Sequence, residues 1–254
     1  MRISAIIITR NEAANIGACL DSLAFCDERI VVDSGSDDGT AAIAREKGAS
    51  VTDHPFEGFG RQKNVALALV QGEWVLSLDA DERVSEALRA EIAGAIARAD
   101  ADAYRMPRLS TFCGRPMRHS GWYPDYVLRL FRRDKGRFSD DLVHEHVICG
   151  GRIAALKEPL LHFPVARLED ALSRMDRYST AGAEMLAASG KSISFASGIA
   201  HGLYAFLRTY VFRAGFLDGR EGFLLAVANA EGTYYRYMKA WLMRRGAGKR
   251  GPET

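Results

Sequence analysis

The segment Glu73-Trp74-Val75-Leu76-Ser77-Leu78-Asp79-Ala80-Asp81-Glu82 runs a largely apolar, strand-like stretch straight into two carboxylates two positions apart. In open α/β sheets, ligands gather at the carboxyl ends of strands, because loops converge there and polar groups need not be buried under helices. The same two acids also suit a turn before a helix capped by Ser85, so the motif by itself is evenly balanced between a ligand site and local structure.

Working outward, a helical pattern over residues 61–69 stops before Gly72, and another runs from Ser85 to about residue 99. Upstream, strand-like runs at 3–9, 29–33 and 50–53 alternate with amphipathic stretches at 13–23 and 40–47. This βαβαβ grammar predicts parallel strands covered by helices. From about residue 103 the pattern changes to extended segments at 104–112, 126–132 and 152–161, around a Gly-, Pro- and aromatic-rich loop at 115–125, which predicts a mixed or antiparallel half. After Pro164 the chain reads as helical, over 168–188 and again from 199 and from 221.

A chain of 254 residues with 48% hydrophobic residues can bury one large core or one core plus an extension. Its net charge of +2 hides an uneven distribution: residues 191–254 hold ten Lys or Arg against four Asp or Glu. The C-terminal quarter is therefore the basic part, and no nucleic-acid partner is expected. Cys19, Cys26, Cys113 and Cys149 form no CxxC pair, which fits a reduced cytosol. The apolar run at 3–8 is short and meets Arg10 and Glu12, so it reads as a first strand, not a signal peptide, and a cytoplasmic location is expected.

Two further strand ends carry polar groups. Val31-Val32-Asp33-Ser34-Gly35-Ser36-Asp37-Asp38-Gly39-Thr40 ends a strand in a carboxylate followed by small residues that let backbone approach a ligand. Thr9-Arg10-Asn11-Glu12 follows the first strand. Three polar strand ends in one sheet imply a site.

In this order, Ile6 to Glu12, Val32 to Thr40, Gly60-Arg61-Gln62-Lys63-Asn64 and Leu78 to Glu82 resemble the family 2 glycosyltransferases with the GT-A fold, over about the first two thirds of the chain. The branch it is most similar to is the lipopolysaccharide inner-core glucosyltransferases; Asp33-Ser34 stands where the family more usually has two adjacent acids. The resemblance implies an α/β, Rossmann-type mixed sheet flanked by helices, with a C-terminal helical extension. The expected division is a catalytic domain at 1–165, with its nucleotide-sugar half at about 1–100 and acceptor half at 101–165, then helices at 166–245 and a flexible tail at 246–254.

By the same resemblance, Asp33 contacts the base or ribose of the donor, and Thr9, Asn11 and Glu12 line the nucleotide pocket. Lys63 faces the diphosphate, with a solvated helix face as its alternative. Asp79 lies near the ribose or the metal, and Asp81 is the direct ligand of a magnesium or manganese ion on the diphosphate. The implied reaction moves a hexose, glucose by analogy, from a UDP-linked donor to a saccharide or glycolipid acceptor such as lipopolysaccharide core.

Inverting transfer needs a base for the acceptor hydroxyl. Residues 138–146 hold the densest set of titratable groups, and the resembling pattern has His-Glu here, which favours Glu145, with Asp140 and Asp141 as rivals. If 143–148 is extended, His144 and His146 share one face and Glu145 the other, so all three cannot serve one metal. His144 is a candidate metal ligand, although a strand histidine is more often structural. Trp122, Tyr123 and Asp125 suit stacking on and hydrogen bonding to a sugar, with an aromatic loop closing the core as the alternative, and Arg129 alternates with apolar neighbours, facing either the site or solvent.

Beyond residue 199, apolar residues recur at helical spacing, but His201, Arg208 and Arg213 interrupt any run of spanning length. Tyr234, Tyr235, Tyr237 and Trp241 beside Arg236, Lys239, Arg244 and Arg245 suit contact with an anionic membrane surface; a helical lid with a basic edge is the alternative. Two rival functions remain: a metal-dependent phosphate hydrolase built on Asp79 and Asp81, and a non-catalytic nucleotide-binding, membrane-docking module.

Overall fold

The computed structural model describes residues 2–140 and 145–247. The chain forms two compact units, one from residues 1–109 with 124–162, the other from 110–123 with the chain from 163 onward. Residues 110–123, read above with the acceptor half, thus group with the helical part.

The first unit begins β1 (Ile3–Thr9), α1 (Ala13–Ser22), β2 (Glu28–Asp33), α2 (Thr40–Glu46), β3 (Ser50–Asp53), α3 (Phe59–Ala68) and β4 (Trp74–Asp79). The short β5 (Glu82–Arg83) and α4 (Glu86–Arg98) follow, then the antiparallel strands β6 (Ala103–Phe112) and β8 (Asp125–Arg132); between them in the chain, β7 (Arg115–Pro116) falls in the second unit and pairs with Thr111 and Phe112 at the end of β6. Four short strands close this part: β9 (Gly136–Phe138), β10 (Val147–Cys149), β11 (Ile153–Ala155) and β12 (Leu160–Val165).

β1 is central, parallel to β2 on one side and β4 on the other, and β8 and β6 extend the sheet antiparallel beyond β4. This is the mixed sheet that the change of pattern at residue 103 predicts. Strand alternation feeds two cores. Ile7, Val31, Leu76 and Leu78 pack with Ile16 and Leu20 of α1 and Leu88 and Ile92 of α4. Ile6, Ile30, Val32 and Val75 pack with Ala66 of α3, Val70 and Phe131. The expected cap of α4 forms, with Ser85 Oγ accepting from Leu88 N at 3.1 Å.

One expected strand divides. Residues 152–161 become β11 and β12, because the backbone N–H groups of Lys157 and Glu158 turn to the Glu91 carboxylate at 2.8–3.0 Å and Pro159 has no N–H for a ladder.

The second unit is built on α5 (Leu168–Ala188), α6 (Phe195–Leu207) and the 29-residue α7 (Gly219–Ala247). A π-helical turn at Arg208–Phe212 and a 3-10 turn at Gly215–Asp218 link α6 to α7. Ser194 and Ser197 form a reciprocal capping box that starts α6. Asp218 is the hub: its carboxylate accepts from the backbone N–H groups of Arg118 and His119 and from Ser120 Oγ at 2.9 Å.

Candidate active site

Register, not sequence distance, assembles the site. Thr9 lies opposite Asp33 across β1 and β2, and Ile8 lies opposite Asp79 across β1 and β4, so the three polar strand ends share one edge. Asp33 is 1% exposed and accepts from Gly35 N at 3.0 Å, Ser36 N at 2.8 Å and Ser36 Oγ at 2.5 Å, which folds the loop after β2 back on its own strand end. Asn11 N donates to Ser36 Oγ and Asn11 Oδ1 accepts from Asp37 N, while Glu12 N donates to Thr40 Oγ1. The two loops are thereby stitched together, with Gly35 at φ 78° in the left-handed region that glycine adopts freely. Thr9 Oγ1 is buried and has no hydrogen-bond partner among the described residues.

The Gly60-Arg61-Gln62-Lys63-Asn64 segment forms the first turns of α3, and four of its residues are committed inward. A Cβ on Gly60 would lie 1.8 Å from the carbonyl oxygen of Ser139, so only glycine admits that approach. Gln62 Nε2 donates to Ser34 Oγ and to the His54 carbonyl, both at 2.9 Å. Asn64 exchanges two hydrogen bonds with the Phe138 backbone, each 3.0 Å. Lys63 is not on a solvated face: at 2% exposure, its Nζ donates to Asp79 Oδ1 at 2.9 Å and to Glu145 Oε1 at 2.8 Å.

Asp79 is held from both sides, since its Oδ2 accepts from Arg129 Nη2 at 2.5 Å. The same guanidinium donates to Glu82 Oε1 at 2.7 Å, and Arg108 reaches that oxygen at 3.3 Å. Glu82, fully buried, also accepts from Asp79 N at 3.0 Å and so sets the turn through Ala80 and Asp81. Arg129, expected to face the site or solvent, is thus 8% exposed and turned to Asp79 and Glu82. Asp125 pairs with Arg108 at 2.7 Å. Asp81 has a different neighbour: its Oδ2 lies 3.4 Å from His162 Nε2, both side chains more than four-fifths buried.

These placements gather Thr9, Asn11, Glu12, Asp33, Lys63, Asp79, Asp81 and Glu145 in the first unit. Trp122 and Tyr123 belong to the second unit, where Trp122 packs edge-on against Phe112 and Arg118 lies over the Tyr123 ring. Asp140 is exposed, whereas Asp141 and His144 lie outside the described residues. Among the described residues, no three His, Cys, Asp or Glu side chains converge as a metal-binding cluster. Glu82, Arg108, Gln62 and His162 are the site residues that sequence reasoning missed. Glu82 was in plain view at the end of the acidic motif.

The model of glycosyl transferase family 2 matches residues 4–160, more than half of the chain. The chain belongs to that family. As a family 2 glycosyltransferase it has a relative in Rhizobium meliloti, the lipopolysaccharide core biosynthesis glycosyltransferase LpsC, 34% identical over 92% of this chain and 93% of that protein. An uncharacterized glycosyltransferase of Rickettsia felis is 30% identical over 94% of this chain and 89% of its own length. Among solved structures, TarS 1–349 of S. aureus in complex with UDP is 19% identical with a TM-score of 0.48, over 97% of this chain and 92% of that one.

The electrostatics of this glycosyltransferase follow from its buried charges. Burial alone would raise the pKa of Asp79, but the positive charges of Arg129 and Lys63 outweigh it and hold the carboxyl well below its usual range. Burial would likewise strip Arg129 of its proton more readily, yet Asp79 and Glu82 more than reverse this and keep it charged. Asp79 is therefore held as an anion, with Arg129 and Lys63 on either side of it. Asp81 faces an imidazole instead.

Proposed function

We propose that this glycosyltransferase moves a hexose with inversion from a nucleotide-sugar donor to a saccharide or glycolipid acceptor. The observation that carries the reading is the single ammonium of Lys63, which ties Asp79, at the end of β4, to Glu145. One buried cation thereby couples a strand-end acid on the donor side to the candidate base. The likeness to a lipopolysaccharide core glycosyltransferase over nearly the whole chain supports a core-saccharide acceptor. Glucose on a uridine donor is the specific assignment we adopt.

The loop that Asp33 anchors, with Thr9, Asn11 and Glu12 beside it, receives the nucleoside. The buried hydroxyl of Thr9, without a hydrogen-bond partner among the described residues, can donate or accept there. A hard divalent cation takes one or two protein ligands and fills its shell with phosphate oxygens, and Asp81 with His162 beside it fits that demand better than Asp79, whose oxygens already meet two cations. These two residues would hold magnesium or manganese, which when bound neutralises charge on the leaving diphosphate. Glu145 takes the proton of the acceptor hydroxyl as its oxygen bonds to the anomeric carbon. The bond from that carbon to the phosphate oxygen breaks on the opposite face, and nucleoside diphosphate leaves.

The test is Glu145→Gln. Donor binding by calorimetry should stay within about threefold of wild type, while kcat falls about 10²–10⁴-fold. Undiminished turnover would remove Glu145 from the base role. A thermal-shift panel of nucleotide sugars with and without manganese identifies the donor. With a lipid-linked acceptor the enzyme works at an anionic membrane surface, which we take to be the inner face of the cytoplasmic membrane.

A further inference from the structure

α6 leaves much of its apolar surface uncovered. Its closest approach to α7 is through small residues, Gly198, where a Cβ would meet Met238, and Gly202, where it would lie 3.2 Å from Tyr234 Cβ, with His201 stacked on Tyr237 and Phe206 edge-on to Phe223 alongside. Thr209 continues this buried line, its hydroxyl accepting from Asn229. Other large apolar residues point away from α7. Ile199, Leu203 and Val211 fall at multiples of four residues along the outer face, and Phe212, Phe216 and Leu217 extend it through the turns. Leu203 is 60% exposed, Phe212 71% and Leu217 55%. A helix of a soluble protein ordinarily buries such residues, and apolar patches beyond a few hundred Å² are uncommon on monomers.

The charge around this face has one sign. From Lys191 to Leu217 the chain has no Asp or Glu, and Arg208, Arg213 and Arg220 are exposed beside the apolar residues. The next two acids are neutralised within the unit: Asp218 is buried under its hydrogen bonds, and Glu221 pairs with Arg115 at 3.8 Å. Two copies meeting through this face would bring like charges together. An anionic lipid surface supplies hydrocarbon for the side chains and phosphate for the arginines. Among the described residues no helix is long and apolar enough to cross a membrane, so the face would lie in the interface plane.

We infer that the outer face of α6 and the turns after it, residues 199–217, is the membrane-docking surface, and that it binds anionic lipid. This rests on the membrane contact in the proposed function, not on its sugar chemistry. It also moves that contact away from the basic end of α7. There Lys239 is committed to Asp176, Ser179 and Thr180, and Arg244 to the carbonyls of Leu186 and Ala187 at the end of α5.

The experiment is co-sedimentation of the full chain with phosphatidylcholine vesicles containing none or a quarter of phosphatidylglycerol. Wild type should partition to the anionic vesicles and be released by high salt. The triple variant Leu203→Gln, Phe212→Gln, Leu217→Gln changes only exposed side chains; it should keep its melting temperature and lose at least tenfold in partitioning. Arg208→Glu with Arg220→Glu should abolish the preference for anionic over neutral vesicles. A triple variant partitioning within twofold of wild type overturns the surface but leaves membrane contact standing. Wild type that ignores both vesicles overturns both. A wild-type dimer in sedimentation velocity that the triple variant dissolves, without vesicle binding, assigns the face to a second copy instead.

Discussion

Replacing Lys63 with methionine keeps an unbranched apolar stem, one atom shorter, and removes the charge on which two carboxylates depend. Asp79 retains Arg129 at 2.5 Å, but Glu145 loses the ammonium at 2.8 Å while its side chain is only 18% exposed. Removing one partner of a buried pair costs about 3–5 kcal/mol, because the other charge is left uncompensated. Asp79 keeps one cation and Glu145 has some access to water, so the expected loss is near the lower end, about 3 kcal/mol. In a chain of this size that lowers Tm by roughly 6–12 °C. The double variant Lys63→Met/Glu145→Gln discards the stranded charge and should recover a third or more of the loss. Lys63→Met melting within about 0.5 kcal/mol of wild type, the range of an ordinary surface change, would refute the buried bridge.

Gly60→Ala should destabilise by about 1–3 kcal/mol through overpacking against the Ser139 carbonyl, and kcat should fall because α3, which brings Lys63 to Glu145, shifts; unchanged kinetics would contradict the close approach. Asp79 has a folded pKa below its unfolded one, so its stabilisation is complete above the ordinary aspartate value of about 3.9 and is lost as pH falls below it. The gap in Tm between wild type and Asp79→Asn should therefore narrow on acidification from about pH 5, and a gap that widens would reverse the sign of the argument. Burial pushes the thiols of Cys19 and Cys26 up to about 12, so neither should react with a disulfide reagent in the native protein at pH 8, as read by mass spectrometry.

The sequence reveals the parallel half well, for a local reason. Ile6, Ile7, Ile8, Val31 and Val32 are β-branched residues in runs bounded by polar turns, and each strand end declares itself with a carboxylate or threonine. Glu82 was legible only as the tail of the acidic motif. Its burial depends on Arg129 and Arg108, 47 and 26 residues away on antiparallel strands whose register no local pattern fixes. His162 escaped notice because its partner Asp81 comes from the other half of the sheet. Lys63 could be found by motif but not placed, since a lysine in an amphipathic helix normally points to water. The division of β11 from β12 likewise needed a distant group, the Glu91 carboxylate that captures two amides.

Asp218 also dictates an order of events during synthesis. The backbone N–H groups of Arg118 and His119 and the Ser120 hydroxyl have their acceptor about a hundred residues downstream. At 5–20 residues per second the ribosome delivers that acceptor roughly 5–20 s after the loop emerges. Until then the nascent loop stays solvated, and the strands flanking it can pair without their cap. The helical unit therefore closes late, as a clasp fastened by its own last quarter, and a chain that stalls before residue 218 leaves the ribosome with the loop unfastened.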